Sequence, residues 1–155
     1  MMDIKVLNKD LTEIILELSS MLGKPIREDK FEIVDLGVPH RPASLPKGKM
    51  GIYMFLYDNK FLKIGKAGPK SNARFYSQHY NPKSARSTLA ASILTDGAID
   101  NKSISEFNIG DWIKENCYRI YILFDTDLGI FALELIEAAL HYKYELIYEG
   151  FISQK

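Results

Sequence analysis

Apolar side chains recur at helical spacing near the start of the chain. Leu11, Ile14, Ile15, Leu18 and Leu22 share one face of LTEIILELSSML, and Gly23 and Pro25 close it, which predicts a helix over 11–22. Residues 31–38 (FEIVDLGV) alternate loosely as a short strand, and Pro39, Pro42, Pro46 and Gly48 mark a connection. From Gly51 the pattern sharpens. Residues 51–57 and 61–64 are rich in β-branched and aromatic side chains around Asp58-Asn59-Lys60, which predicts a hairpin. Ser71 is placed to cap a helix to about Tyr80, stopped by Pro82, and 87–95 and 109–116 predict two more helices. YRIYILF (118–124) alternates as a third convincing strand, and a long helix follows from Gly129 to about Tyr148. The order predicts an α+β fold: a small, mainly antiparallel three-stranded sheet flanked by helices. Residues 1–46 read as an N-terminal helical extension and 47–155 as the main domain.

Composition narrows the class. Apolar residues make up 46% of the 155, enough for the core of one domain and far from a disordered composition. Cys117 is the only cysteine, which excludes a disulfide framework and suits a reducing, cytoplasmic setting. MMDIKVLNKD has early acidic residues and no apolar core, so no signal peptide is expected, and no apolar run is long enough for a bilayer. His40, His79 and His141 lack the spacing of a zinc site. Twenty bases balance twenty acids, which speaks against a uniformly basic nucleic-acid binder. The distribution is uneven, however. Lys60, Lys63, Lys66, Lys70, Arg74, Lys83 and Arg86 fall between 59 and 86 with no Asp or Glu among them. A cationic segment on an acidic body can hold a phosphate backbone at one face.

The same segment carries the candidate chemistry. GIYMFLYDNKFLKIG opens on Gly51-Ile52-Tyr53 and closes on Lys63-Ile64-Gly65, with Lys66 next and Arg74 on the following predicted helix. Phosphodiester cleavage needs a positioned nucleophile, neutralisation of developing charge and help for the leaving oxygen. Tyr53 is a candidate to orient the attacking water or, deprotonated, to act as base; Lys63 is the alternative base. Arg74 offers a planar, permanently charged fork for two phosphate oxygens. Glu137 falls on the apolar stripe of Leu133, Ile136, Leu140 and Tyr144, where a carboxylate must find a metal, a base or a donor. Lys60, Lys70, His79, Tyr80, Lys83 and Arg86 are candidate nucleic-acid contacts; His79 is read as a surface residue, and Tyr80 either stacks on bases, helps to hold the nucleophile or packs its helix.

Taken in order, the hairpin, the arginine-bearing helix, the third strand and the glutamate-bearing helix resemble the GIY-YIG nuclease family over about 47–150. Gly51-Ile52-Tyr53 matches the first signature. Lys63-Ile64-Gly65 matches the second with lysine for tyrosine, similar to a substitution in some restriction endonucleases of the family. Lys66 falls where excision-repair relatives carry a lysine, Arg74 at the family's helix arginine, and Glu137 at its metal-binding glutamate. The family's late asparagine has no counterpart in Leu146-Ile147-Tyr148-Glu149-Gly150, and Gln78 stands where some members carry a histidine. The resemblance implies an endonuclease that cuts DNA in restriction or repair, using Mg2+ or Mn2+ held by Glu137. One site per chain implies a homodimer if both strands are cut. The alternative is a module that keeps the fold and binds nucleic acid without turnover.

Hairpin register tests this set. Side chains alternate along strands, so Tyr53 and Lys63 share a face only when odd positions pair with odd ones. A two-residue turn at Asp58-Asn59 would oppose Tyr53 to Ile64. The expectation is therefore a three-residue loop, Asp58-Asn59-Lys60, pairing Phe55 with Lys63 and Tyr57 with Phe61.

Overall fold

Asp3 starts the first helix earlier than the apolar spacing predicts. Its carboxylate accepts from the Lys5 N–H (2.9 Å) and caps α1 (Ile4–Met21). Leu7, Leu11 and Ile15 form the buried stripe. Ser19 closes that stripe, donating to the Ile15 carbonyl (2.6 Å) and accepting from the Ile26 N–H (2.9 Å), which turns the chain back onto the helix. The computed structural model describes residues 2–85, 88–96, 99 and 103–148.

The sheet has four strands rather than three. β1 (Phe31–Gly37), β2 (Lys49–Tyr57), β3 (Lys60–Ala67) and β4 (Tyr118–Asp125) lie in the order β1-β4-β2-β3, every neighbouring pair antiparallel. The added strand is the 31–38 segment, which the sequence placed in the extension. It pairs with β4 from Phe31↔Phe124 to Gly37↔Arg119. The physical reason lies in β4, which is buried from Arg119 to Phe124 and so needs a backbone partner on each edge.

Helices cover both faces. Leu7, Leu11 and Ile15 of α1 and Leu133, Ile136 and Leu140 of α5 (Ile130–Tyr144) pack on Ile52, Met54, Ile64, Ile120 and Ile122. On the other face lie α2 (Asn72–Tyr76), α3 (Leu89–Asp96) and α4 (Ile109–Asn116). Phe75, Leu89, Ile93 and Ile113 there meet Tyr53, Phe55, Leu62 and Tyr121.

Three local departures matter for the site. The hairpin turns in two residues, not three: Asp58 (φ +51) and Asn59 (φ +60) both take the left-handed conformation that the tightest hairpin turn requires. That turn pairs Tyr57 with Lys60 and Leu56 with Phe61. A bulge at Leu62 then restores the odd register, giving Phe55↔Lys63 and Tyr53↔Gly65. The helix expected to run to Tyr80 stops at Tyr76, and Gln78–Tyr80 forms a separate 3-10 turn. α5 ends at Tyr144, short of Tyr148, because Glu145 turns left-handed (φ +43). Ile147 and Tyr148 instead donate to the Phe61 and Leu62 carbonyls (3.1 and 2.9 Å) on the outer edge of β3. α3 begins at Leu89, where the Thr88 hydroxyl accepts from the Ala91 N–H (3.2 Å); Ser87, the expected first residue of this helix, lies outside the described residues. Among the described residues no helix is long and apolar enough to cross a membrane.

Candidate active site

Two glycines set the geometry. A Cβ at Gly51 would lie 2.8 Å from the Phe75 ring, so glycine is what lets α2 settle onto the sheet. Tyr53 lies directly across from Gly65, and its hydroxyl fills the space that a side chain at 65 would need.

β3 is an edge strand, so the helical layers on its two faces meet along its open side. Lys63 pairs with Phe55, on the α2 face; Lys66 pairs with Ile52, on the α5 face. α2 brings Arg74 to one side of the strand and α5 brings Glu137 to the other. Together Lys63, Lys66, Arg74 and Glu137 line a cleft of about 400 Å3 floored by Gly65. Three cations against one carboxylate leave the lining favourable to an anion. Lys66 Nζ stands 3.0 Å from Glu137 Oε1, and their side chains are 36% and 16% exposed. One turn further along α5, His141 donates from Nε2 to the Ile64 carbonyl (2.7 Å) and pins that helix to β3.

Tyr53 itself does not border the cleft. It is fully buried, with Oη 2.6 Å from His79 Nε2. His79 Nδ1 accepts the Leu89 N–H (3.0 Å), which leaves the ring proton on Nε2 and makes His79 the donor to the phenol oxygen. Burial above all, then the Lys63, Arg74 and Arg119 cations, push the His79 pKa down to about 2. The ring therefore stays neutral and the direction of donation is fixed. A donor aimed at a phenol oxygen stabilises the anion, the form a base would need.

A second polar group lies behind α2. Arg119 is fully buried; its Nη1 donates to Tyr80 Oη (2.6 Å) and its Nη2 to the Phe75 carbonyl. The Phe55 and Phe75 rings lie 5.0 and 5.2 Å from the guanidinium carbon. Tyr80 in turn donates to His40 Nε2 (2.8 Å), and His40 Nδ1 donates to the Cys117 carbonyl (2.8 Å). Burial brings the His40 pKa down to about 4, the Arg119 and Lys114 charges adding to it against the Cys117 hydrogen bond, and raises Tyr80 to about 12. By gripping the Phe75 carbonyl, Arg119 holds the residue next to Arg74. The sequence signal for Arg119 is its parity with Tyr121 and Leu123 on a strand that is otherwise apolar.

Two buried, neutral histidines make the fold acid-sensitive. Unfolding returns both rings to water and to a pKa near 6.5, so below that value the unfolded chain takes up protons that the folded chain refuses. Stability from this source is complete above about pH 6.5 and falls as the pH drops towards the folded values. Urea unfolding is expected to show a loss of about 2–3 kcal/mol between pH 7.5 and 5.5; a flat profile would contradict neutral burial.

Among the described residues no group of three or more His, Cys, Asp or Glu is placed to hold a metal ion, and Glu137 is the one carboxylate in the cleft lining. No family model, curated protein or solved structure matches the chain.

The residues expected to meet nucleic acid divide into groups. Lys70 and Lys83 are exposed, Lys70 in the loop between β3 and α2. Lys60 is exposed at the hairpin tip, about 20 Å from Lys66 by strand rise, and does not join the cleft. His79 and Tyr80 are interior, not surface, residues: the break after Tyr76 turns them in towards Tyr53 and Arg119. Arg86 lies outside the described residues.

Proposed function

We propose that the protein is a metal-dependent endonuclease of the GIY-YIG kind, hydrolysing phosphodiester bonds in DNA. The observation that supports this reading best is the meeting of Lys63, Lys66, Arg74 and Glu137, distant along the chain, around one anion-favouring cleft. A lone carboxylate in an open cleft fits Mg2+ or Mn2+ better than zinc, because Mg2+ keeps several waters and takes few protein ligands. Bound there, the ion would supply a Lewis acid to the phosphoryl oxygens and ionise a water.

The chain's own residues supply the positioning. Arg74 presents its fork to two non-bridging oxygens and stays charged throughout. Of the two base candidates, Lys63 borders the cleft and Tyr53 stands behind it. The reading therefore gives contact with the attacking water to Lys63, which can take its proton only as the neutral amine, and gives Tyr53, whose oxygen His79 holds, a supporting place behind it. Cutting both strands of a duplex would take two chains or two successive binding events.

A binding module without turnover draws on one observation, that Lys66 already pairs with Glu137. Supercoiled plasmid decides between the two. Nicking in Mg2+ that EDTA stops is the expected result. Retardation of the plasmid in a gel, with no nicking in either buffer, would favour the binding module.

A further inference from the structure

We propose that Lys66 is an internal stand-in for the metal ion, so that a divalent cation reaches Glu137 only by displacing the Lys66 ammonium. The inference rests on the nuclease reading and specifies how its site is loaded. With its side chain 16% exposed, the Glu137 carboxylate is too covered to stand without a cation at little cost, and Lys66 Nζ at 3.0 Å meets that need. Glu137 has a second oxygen, but an ammonium held 3.0 Å from Oε1 repels a divalent ion brought to the same carboxylate, so loading drives the ammonium away.

Lys66 is built to yield. Its backbone is fixed in β3, but its side chain is 36% exposed on a flexible four-carbon stem, so the head can swing out without moving the strand. The cleft lining offers it no other carboxylate among the described residues. Its next available anion is a phosphate of the substrate. Metal and phosphate therefore bind cooperatively: the phosphate accepts the ammonium that the metal expels, and by linkage each tightens the other.

Mn2+ alone, titrated in the absence of DNA and followed by the paramagnetic signal of the free ion, tests the exchange without recourse to activity. Lys66→Met, and Lys66→Gln as a second variant, are expected to tighten Mn2+ binding about three- to tenfold, the worth of a partly covered ion pair. Lys66→Arg keeps the competing charge and is expected to stay near wild type. Lys70→Met removes an equal charge from an exposed site outside the cleft lining and is expected to change affinity less than about twofold. Unchanged or weaker Mn2+ binding in both Lys66→Met and Lys66→Gln, with normal unfolding curves, would overturn the exchange. Wild-type Mn2+ binding in Glu137→Gln would instead remove the carboxylate from the metal site, and the nuclease reading with it.

Discussion

Glu137→Gln is expected to keep the fold and to lose Mg2+-dependent nicking by about 10³-fold or more. Glutamine has the same shape and can still accept a hydrogen bond from Lys66, and the pair it breaks is partly exposed, so stability should change by less than about 1 kcal/mol. The charge is what disappears. Glu137 is the one carboxylate in the lining among the described residues, so the amide leaves a divalent ion with no anionic anchor. A Lewis acid at a phosphoryl oxygen is worth several kcal/mol, and each 1.36 kcal/mol is tenfold in rate, which sets the scale at about 10³. Initial rates on supercoiled plasmid, with urea unfolding of the same preparation, measure both halves. A folded variant that nicks within tenfold of wild type would take Glu137 out of the chemistry.

Arg119→Ala should cost far more stability than its distance from the cleft suggests, about 3–5 kcal/mol. Truncation opens a cavity among Phe55, Phe75, Tyr80 and Tyr121, and strips the Phe75 carbonyl and Tyr80 oxygen of their donor. Against a total of about 5–15 kcal/mol for an ordinary domain, that is a large fraction. Arg119 is not ideally served: its Nε has no hydrogen-bond partner among the described residues, and aromatic faces surround the charge in place of a carboxylate. Arg119→Met restores much of the volume but not the grip on Phe75, so it should recover about half the loss. Urea unfolding of the two variants checks the ranking; a loss below 1 kcal/mol in the alanine variant would mean that the guanidinium supports nothing.

A run dense in β-branched and aromatic residues made β4 legible although both of its faces are buried, and apolar spacing did the same for α5, which buries one face. The bulge at Leu62 was not legible. Phe61 and Leu62 are both apolar and both buried, so no change of polarity marks the extra residue. Turn chemistry did point to Asp58 and Asn59, the two residue types there that tolerate a positive φ. The odd register of Tyr53 and Lys63 does not require a three-residue loop, since a bulge further along the strand restores it after a two-residue turn. β1 showed its alternation, but only pairing with β4 reveals which sheet it joins. Motif order was enough to nominate Lys63, Lys66, Arg74 and Glu137. It could not show that Tyr53 would be covered, which follows from the glycine opposite, nor that His79 would turn inward, which follows from a helix ending after five residues.

A cleft at the margin of a sheet carries a hazard, because an edge strand is a template for a stranger's backbone. The outward carbonyls of Phe61 and Leu62 are taken by the C-terminal segment and that of Ile64 by His141. Past them, a second molecule seeking to extend the ladder would run into ammonium groups. The lysines that would draw a phosphate inward thus also act as a fence, keeping neighbouring copies from stitching themselves on.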